Sequence, residues 1–316
     1  MLRALIPALL LLLSGCTALV EQRLREPVPA LGDHPELQPS THSLYRAEQW
    51  CQEAQCLPLL HWPLLLSDGE RMRQFTMSLN GASQILSMPE PRADAPKALL
   101  IGGHRTDLLA SGLYAMWLTS LGFDCTALAG PSQSDPFDFG LTNARLAAQW
   151  LASQPATEQP TLVVSISMGV IPAVELIRHS DRPIRLLAIA PMGDFVTATT
   201  SSVEHIPVPW YAHLVPTASL REAAQNLAEQ SGHSGINGQT WLRRSPAPYF
   251  ALYSDRDPLA PAPAEPASNE RVLAGLHHLE LALGPLIKVQ RAAEPFLKQH
   301  FGLDIAHEPP SASASP

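Results

Sequence analysis

The sequence predicts an α/β fold: a mostly parallel central sheet with helices on both faces and an inserted helical cap. Three observations carry this. Short, wholly apolar runs such as Ala98-Leu99-Leu100-Ile101, Thr161-Leu162-Val163-Val164 and Ile184–Ala190 have the length and composition of strands buried on both faces. Stretches of helical character alternate with them, which is the signature of crossover connections between parallel strands. The alternation breaks once, at 194–247, where prolines and aromatic residues interrupt it before the strands resume.

The chain begins with a targeting segment, residues 1–15. Arg3 supplies a positive start, and Ala4 to Leu13 is a ten-residue apolar run, too short to span a bilayer. It ends in Leu13-Ser14-Gly15-Cys16. An apolar residue, two small ones and a cysteine are similar to the lipobox of bacterial lipoproteins. That resemblance implies cleavage before Cys16, a lipid on its sulfur and a membrane partner through this anchor. It places the protein in the bacterial cell envelope, and the non-acidic Thr17 favours the periplasmic side of the outer membrane over the inner one. Residues 16–60, with five prolines and scattered charge, read as a tether holding the domain off the membrane, with a helical turn near Leu44–Cys56. Cys51 and Cys56 lie close in sequence in an exported chain, so a disulfide is expected. No second cysteine pair or histidine at ligand spacing accompanies them, so no metal site is expected.

The domain is read as residues 61–303. Met72–Leu79 and Gln84–Met88 form an expected hairpin around Asn80-Gly81. Then follow a strand at 98–101, a helix at 108–121 stopped by Gly122, a strand at 123–128 with Cys125 buried in it, and a helix at 139–153. A strand at 161–164, a helix at 168–179 carrying an awkward Pro172, and a strand at 184–190 complete the first half. Within the 194–247 cap, Ser219-Leu220-Arg221-Glu222 has the spacing of a capping box. It is followed by an apolar face of Leu220, Ala223, Ala224, Leu227 and Ala228, with Gly232 as the stop. Strands at 249–253 and 271–275 and a helix at 285–300 close the domain. The tail, residues 304–316, is polar and rich in proline and serine, as in disordered segments.

The chemistry centres on Ser165-Ile166-Ser167-Met168-Gly169, between an expected strand and an expected helix. A serine on such a turn is lifted clear of the sheet, as in a nucleophile elbow of the pattern G-x-S-x-G, with Ser165 in place of the first glycine. A serine hydroxyl needs a base in hydrogen-bond reach and a carboxylate to orient that base. Ser254-Asp255-Arg256-Asp257-Pro258 supplies acids just past one strand, and Gly275-Leu276-His277-His278 supplies histidines just past the next. The order Ser, Asp, His, and these three motifs, resemble the α/β-hydrolase superfamily over about residues 70–303. The resemblance assigns Asp257 rather than Asp255, and favours His278 with His277 as the alternative. It also implies an oxyanion hole from the N–H of Met168 and of His104, with Gly103 second, in Gly102-Gly103-His104-Arg105.

A formal net charge of −8 argues against nucleic acid as a partner. The expectation is a lipid-anchored serine hydrolase acting on a small-molecule acyl ester through an acyl-enzyme, with no cofactor. A non-catalytic binding module of the same fold and an acyltransferase are the alternatives. Oligomeric state is left open.

Overall fold

The computed structural model describes residues 16–31, 45–62, 73–79, 81–90, 92, 94–206, 208 and 210–303. The expected signal segment, Asn80 of the hairpin turn and the tail lie outside the described residues. In chain order the elements are α1 (16–25), β1 (Arg46–Gln52), β2 (Gln55–His61), β3 (Gln74–Leu79), β4 (Ala82–Ser87) and β5 (Lys97–Ile101). Then come α2 (Gly112–Ser120), β6 (Asp124–Leu128), α3 (Leu141–Ser153), β7 (Thr161–Ile166), α4 (Val170–Arg178) and β8 (Ile184–Ile189). The remainder is α5 (Phe195–His205), α6 (Thr217–Gln230), α7 (Gly238–Arg243), β9 (Tyr249–Ser254), β10 (Glu270–Leu273), α8 (His278–Ala282) and α9 (Ile287–Phe301).

Eight strands form one sheet in the order β1-β2-β6-β5-β7-β8-β9-β10, parallel from β6 to β10. β7 lies at its centre with all six residues buried. Side chains such as Leu162 and Val164 each contribute about 1.5–3 kcal/mol by leaving water. Two apolar layers flank the sheet. One packs α3 and α4 through residues such as Trp150, Val174 and Leu176. The other packs α2 and α9 through Trp117, Leu118, Ala293 and Leu297. β3 and β4 pair only with each other, as the hairpin pattern requires.

Three expectations need correction. Residues 46–61 are not tether, and no helical turn forms there. β1 and β2 are an antiparallel hairpin that extends the sheet, with β2 pairing to β6 through Leu59, Leu60 and His61. Cys51 and Cys56 face each other across its turn and are bonded at 2.05 Å. Residues 16–31 are fastened to the body as well. Thr17 Oγ1 donates to Glu222 Oε2 at 3.0 Å and Gln230 Nε2 donates to Glu21 Oε1 at 2.8 Å, so α1 lies along α6. The N–H of Val28 donates to Ser132 O at 2.7 Å.

Second, α6 starts at Thr217 after Pro216, so Ser219 lies inside its first turn and caps nothing. Glu222 is spent on Thr17 instead. Third, the inserted segment closes earlier than expected. The Phe195 N–H donates to Ile236 O at 3.2 Å, Gly238 N–H to Gly193 O at 3.1 Å, and Asp194 bridges Asn237. α7 packs back on α4 and belongs to the body. Beyond the neck the insertion contains α5 and α6, where the sequence shows one clear helix. Asp194 starts α5 by accepting from the Thr197 N–H at 2.8 Å.

Candidate active site

The end of β7 passes directly into a tight turn, Ser167–Gly169, and then into α4. Because α4 begins at Val170, Pro172 falls in its first turn, where the missing N–H has no intrahelical partner to lose. Ser167 sits at φ +53°, a left-handed conformation costing a non-glycine residue about 1–2 kcal/mol. Such strain persists where surrounding structure holds it. Gly169 shows what does: a Cβ there would lie 2.4 Å from Ile101 O and 2.5 Å from Gly102 O. The turn is pressed against the end of β5 and cannot relax with any larger residue. Ser165 is buried between β5 and β8, and its hydroxyl has no partner among the described residues. Its role is to be small.

Asp257 lies in the loop after β9 with its side chain wholly buried. Oδ1 accepts from the N–H groups of Leu259 at 2.9 Å and Ala260 at 3.0 Å. Oδ2 is 2.7 Å from His278 Nδ1. A carboxylate only accepts, so Nδ1 carries the proton, and Nε2 is left for the cavity that His278 lines together with Ser167. His277 is exposed, and its backbone N–H donates to Glu280 Oε2 at 2.7 Å at the start of α8. Asp255 is exposed, and its Oδ1 accepts from the Gly275 N–H at 2.7 Å. Ser254 Oγ donates to Leu276 O. The acid loop and the histidine loop are therefore tied at three points.

The loop after β5 brings Gly103 against Ser167. A Cβ on Gly103 would stand 3.1 Å from Ser167 Cβ and 3.7 Å from its Oγ. The Gly103 carbonyl accepts from Thr106 Oγ1 at 2.9 Å and from Ser132 Oγ at 3.1 Å. A peptide unit is planar and trans, so fixing that carbonyl fixes the His104 N–H on the opposite side. The N–H of Met168 lies in the first turn leading to α4, where backbone donors are unspent. Thr106 and Ser132 carry no sequence signal for this duty; their partners come together only in the fold.

The order of the sheet and the helices around it have counterparts among solved structures. An esterase of Pyrococcus furiosus, Pf2001, superposes with a TM-score of 0.55 at 14% identity, over 87% of this chain and 96% of the other. The 2,6-dihydroxy-pseudo-oxynicotine hydrolase superposes with a TM-score of 0.51 at 16% identity, over 89% of this chain and 74% of the other. The chain has the α/β-hydrolase fold. No protein-family model and no curated protein sequence matches it.

In this α/β-hydrolase fold the insertion after β8 roofs a cavity of about 570 Å³. Ser167, Met168, Gly103 and His278 line its floor, and Phe195, Ile206, Val215 and Leu220 line its roof. Leu19, Val20 and Leu24 of α1 form a side wall. The walls are mostly apolar, as in pockets for small organic molecules. Arg105, at φ +60°, donates to the carbonyls of Arg23 and Glu26, each at 3.1 Å, so the loop carrying His104 hangs from the end of α1. Among the described residues no group of three His, Cys, Asp or Glu side chains could hold a metal ion.

The His104 ring stands edge-on to Phe137 and Phe195, and neither ring nitrogen has a partner among the described residues. Burial, with the Arg105 charge second, lowers its pKa from 6.5 to about 4. Between those values the unfolded chain binds a proton here that the folded chain does not. Stability from this group is complete above pH 6.5 and falls as pH drops toward 4. Thermal melts across that range should show the loss. His104→Phe, which keeps the ring packing and cannot titrate, should reduce the slope; an equal slope in both proteins would show that His104 is not its source.

Proposed function

We propose that the protein is a serine hydrolase that cleaves carboxylic esters through an acyl-enzyme, anchored in the cell envelope by a lipid on Cys16. The observation that carries the catalytic part is the buried 2.7 Å Asp257–His278 bond beside a cavity floored by a strained Ser167. Ser167 Oγ attacks the acyl carbonyl while His278 Nε2 takes its proton. Asp257 holds the imidazole and stabilises its charged form. The N–H groups of Met168 and His104, with Gly103 beside them, receive the negative oxygen of the tetrahedral intermediate. The protonated His278 then gives its proton to the leaving alkoxide, and a water activated by the same nitrogen frees the acid. The apolar cavity suits the acyl portion of the substrate. The solved esterase and hydrolase that share the fold support this reading.

A fluorophosphonate probe with peptide mapping tests this. Labelling of Ser167, and of no other serine, is the expected result, together with hydrolysis of short aryl esters. A folded chain inert to both would instead be a binding module. The anchor has its own test. Cys16→Ser should move the protein from the detergent phase to the aqueous phase on partitioning, and equal partitioning of both forms would remove the lipid from the proposal.

A further inference from the structure

We propose that the mouth of the cavity is the face that lies on the membrane, and that the substrate is a long-chain lipid ester drawn directly from the bilayer. This rests on the hydrolase reading above for its chemistry, but not for its geometry. Seven large apolar side chains are exposed among the described residues; two of them line this cavity and two more lie in the cap turn that borders it. Leu19 of α1 is 68% exposed and Leu283, just after α8, is 53% exposed; both line the cavity. Trp210 at 75% and Leu214 at 72% project from the short turn of the cap whose Ala212 and Val215 line it. Three segments far apart in sequence thus present apolar groups to water at the same place. Scattered exposed apolar residues need no explanation, whereas a ring of them around a pocket does.

The position of the chain's apolar end identifies the occupant. Ala4 to Leu13 is the most apolar run of the sequence, and it ends just before Cys16, three residues from Leu19. Retained as an anchor or exchanged for a lipid on Cys16, it brings hydrocarbon to the rim of the mouth. From Cys16 onward there is no slack to hold the domain away, because the chain is already helical there and Thr17 is buried against Glu222. An exposed tryptophan among aliphatic groups also suits the boundary between headgroups and acyl chains. A lipid ester can then enter acyl chain first, from the bilayer into the apolar cavity, without crossing water.

The test uses the full chain, purified with its anchor and reconstituted into phosphatidylcholine vesicles with or without bromine on the acyl chains. Bromine quenches tryptophan only at close range. The emission lost on Trp210→Phe isolates residue 210 from the other tryptophans, and that component should be quenched in the brominated vesicles. An equal component in both kinds of vesicle would overturn the proposal, since a domain held off the surface gives that result. Hydrolysis supplies a second reading. Trp210→Ser combined with Leu214→Ser should lower the rate on a long-chain ester dissolved in vesicles by about ten-fold, relative to a soluble short aryl ester. An unchanged ratio would reject bilayer uptake. If no ester is cleaved by any form, the hydrolase reading fails, and the quenching measurement still decides the docking.

Discussion

Ser167→Ala should lower kcat for aryl ester hydrolysis by roughly 10⁴–10⁶, the range found when a member of such a triad is removed. The loss follows from geometry: among the described residues no other hydroxyl stands at the end of β7 facing the cavity, since Ser165 is buried in the strand. The fold should survive, because the side chain at 167 is not core packing. Ser167→Gly extends the test. It removes the same nucleophile but also relieves a positive φ of 53°, so it should be inactive and about 1 kcal/mol more stable than the alanine variant. Ser165→Ala should keep activity, since its hydroxyl has no partner among the described residues. Rates and denaturation midpoints of these three purified variants check the assignment. Wild-type activity in Ser167→Ala would refute the elbow.

Asp257→Asn should cost about 10⁴ in kcat, equivalent to about 5.5 kcal/mol. The side chain is held from two sides. Oδ1 accepts two backbone N–H groups, which only an oxygen can do, so an asparagine must turn its NH₂ toward His278. Nδ1 would then have to accept, and the proton would move to Nε2, where the imidazole can no longer take a proton from Ser167. His278→Ala should match Ser167→Ala, whereas His277→Ala should lose little, because that ring is exposed and its contribution to α8 is a backbone N–H. Asp255→Asn keeps an oxygen for the Gly275 N–H and should also be mild. Single-turnover acylation rates across the four variants distinguish these outcomes. A fully active Asp257→Asn would show that the acid lies elsewhere.

Much of the fold, and of which residues meet at the candidate site, was readable from the chain because the relevant signals are local. The elbow is five consecutive residues between an apolar strand and a helix. The acid and the histidines each follow a strand by a few positions. What the sequence hides is set by partners distant in the chain. Pro58 argues against a strand in the 46–61 stretch. It is tolerated because β2 pairs with β6 only from Leu59 onward, so its missing N–H is not needed on that side. α5 is rich in threonine, serine and valine, poor helix formers, and packing of Phe195 and Ala198 outweighs that preference. α1 shows no strong pattern of its own, because its buried face is defined by α6 and the cavity rather than by a core. The hydroxyls that fix the Gly103 carbonyl come from Thr106 and from Ser132, beyond another strand.

The closed neck at Gly193 and Gly238 bears on how this scaffold can change its diet. The chain leaves and re-enters the body at hydrogen-bonding distance, and Gly238 admits no side chain because a Cβ would meet Met192 O and Val170 Cγ1, each at 2.6 Å. Residues between those glycines form a cassette whose ends are already joined. A genetic exchange that replaced it with a segment of different length would leave the sheet, Ser167 and the Asp257–His278 pair in place. The added closure cost would grow only slowly with the new length, by about 0.6 kcal/mol per doubling. Recombination at two glycines would thus replace the whole roof of the cavity in a single event.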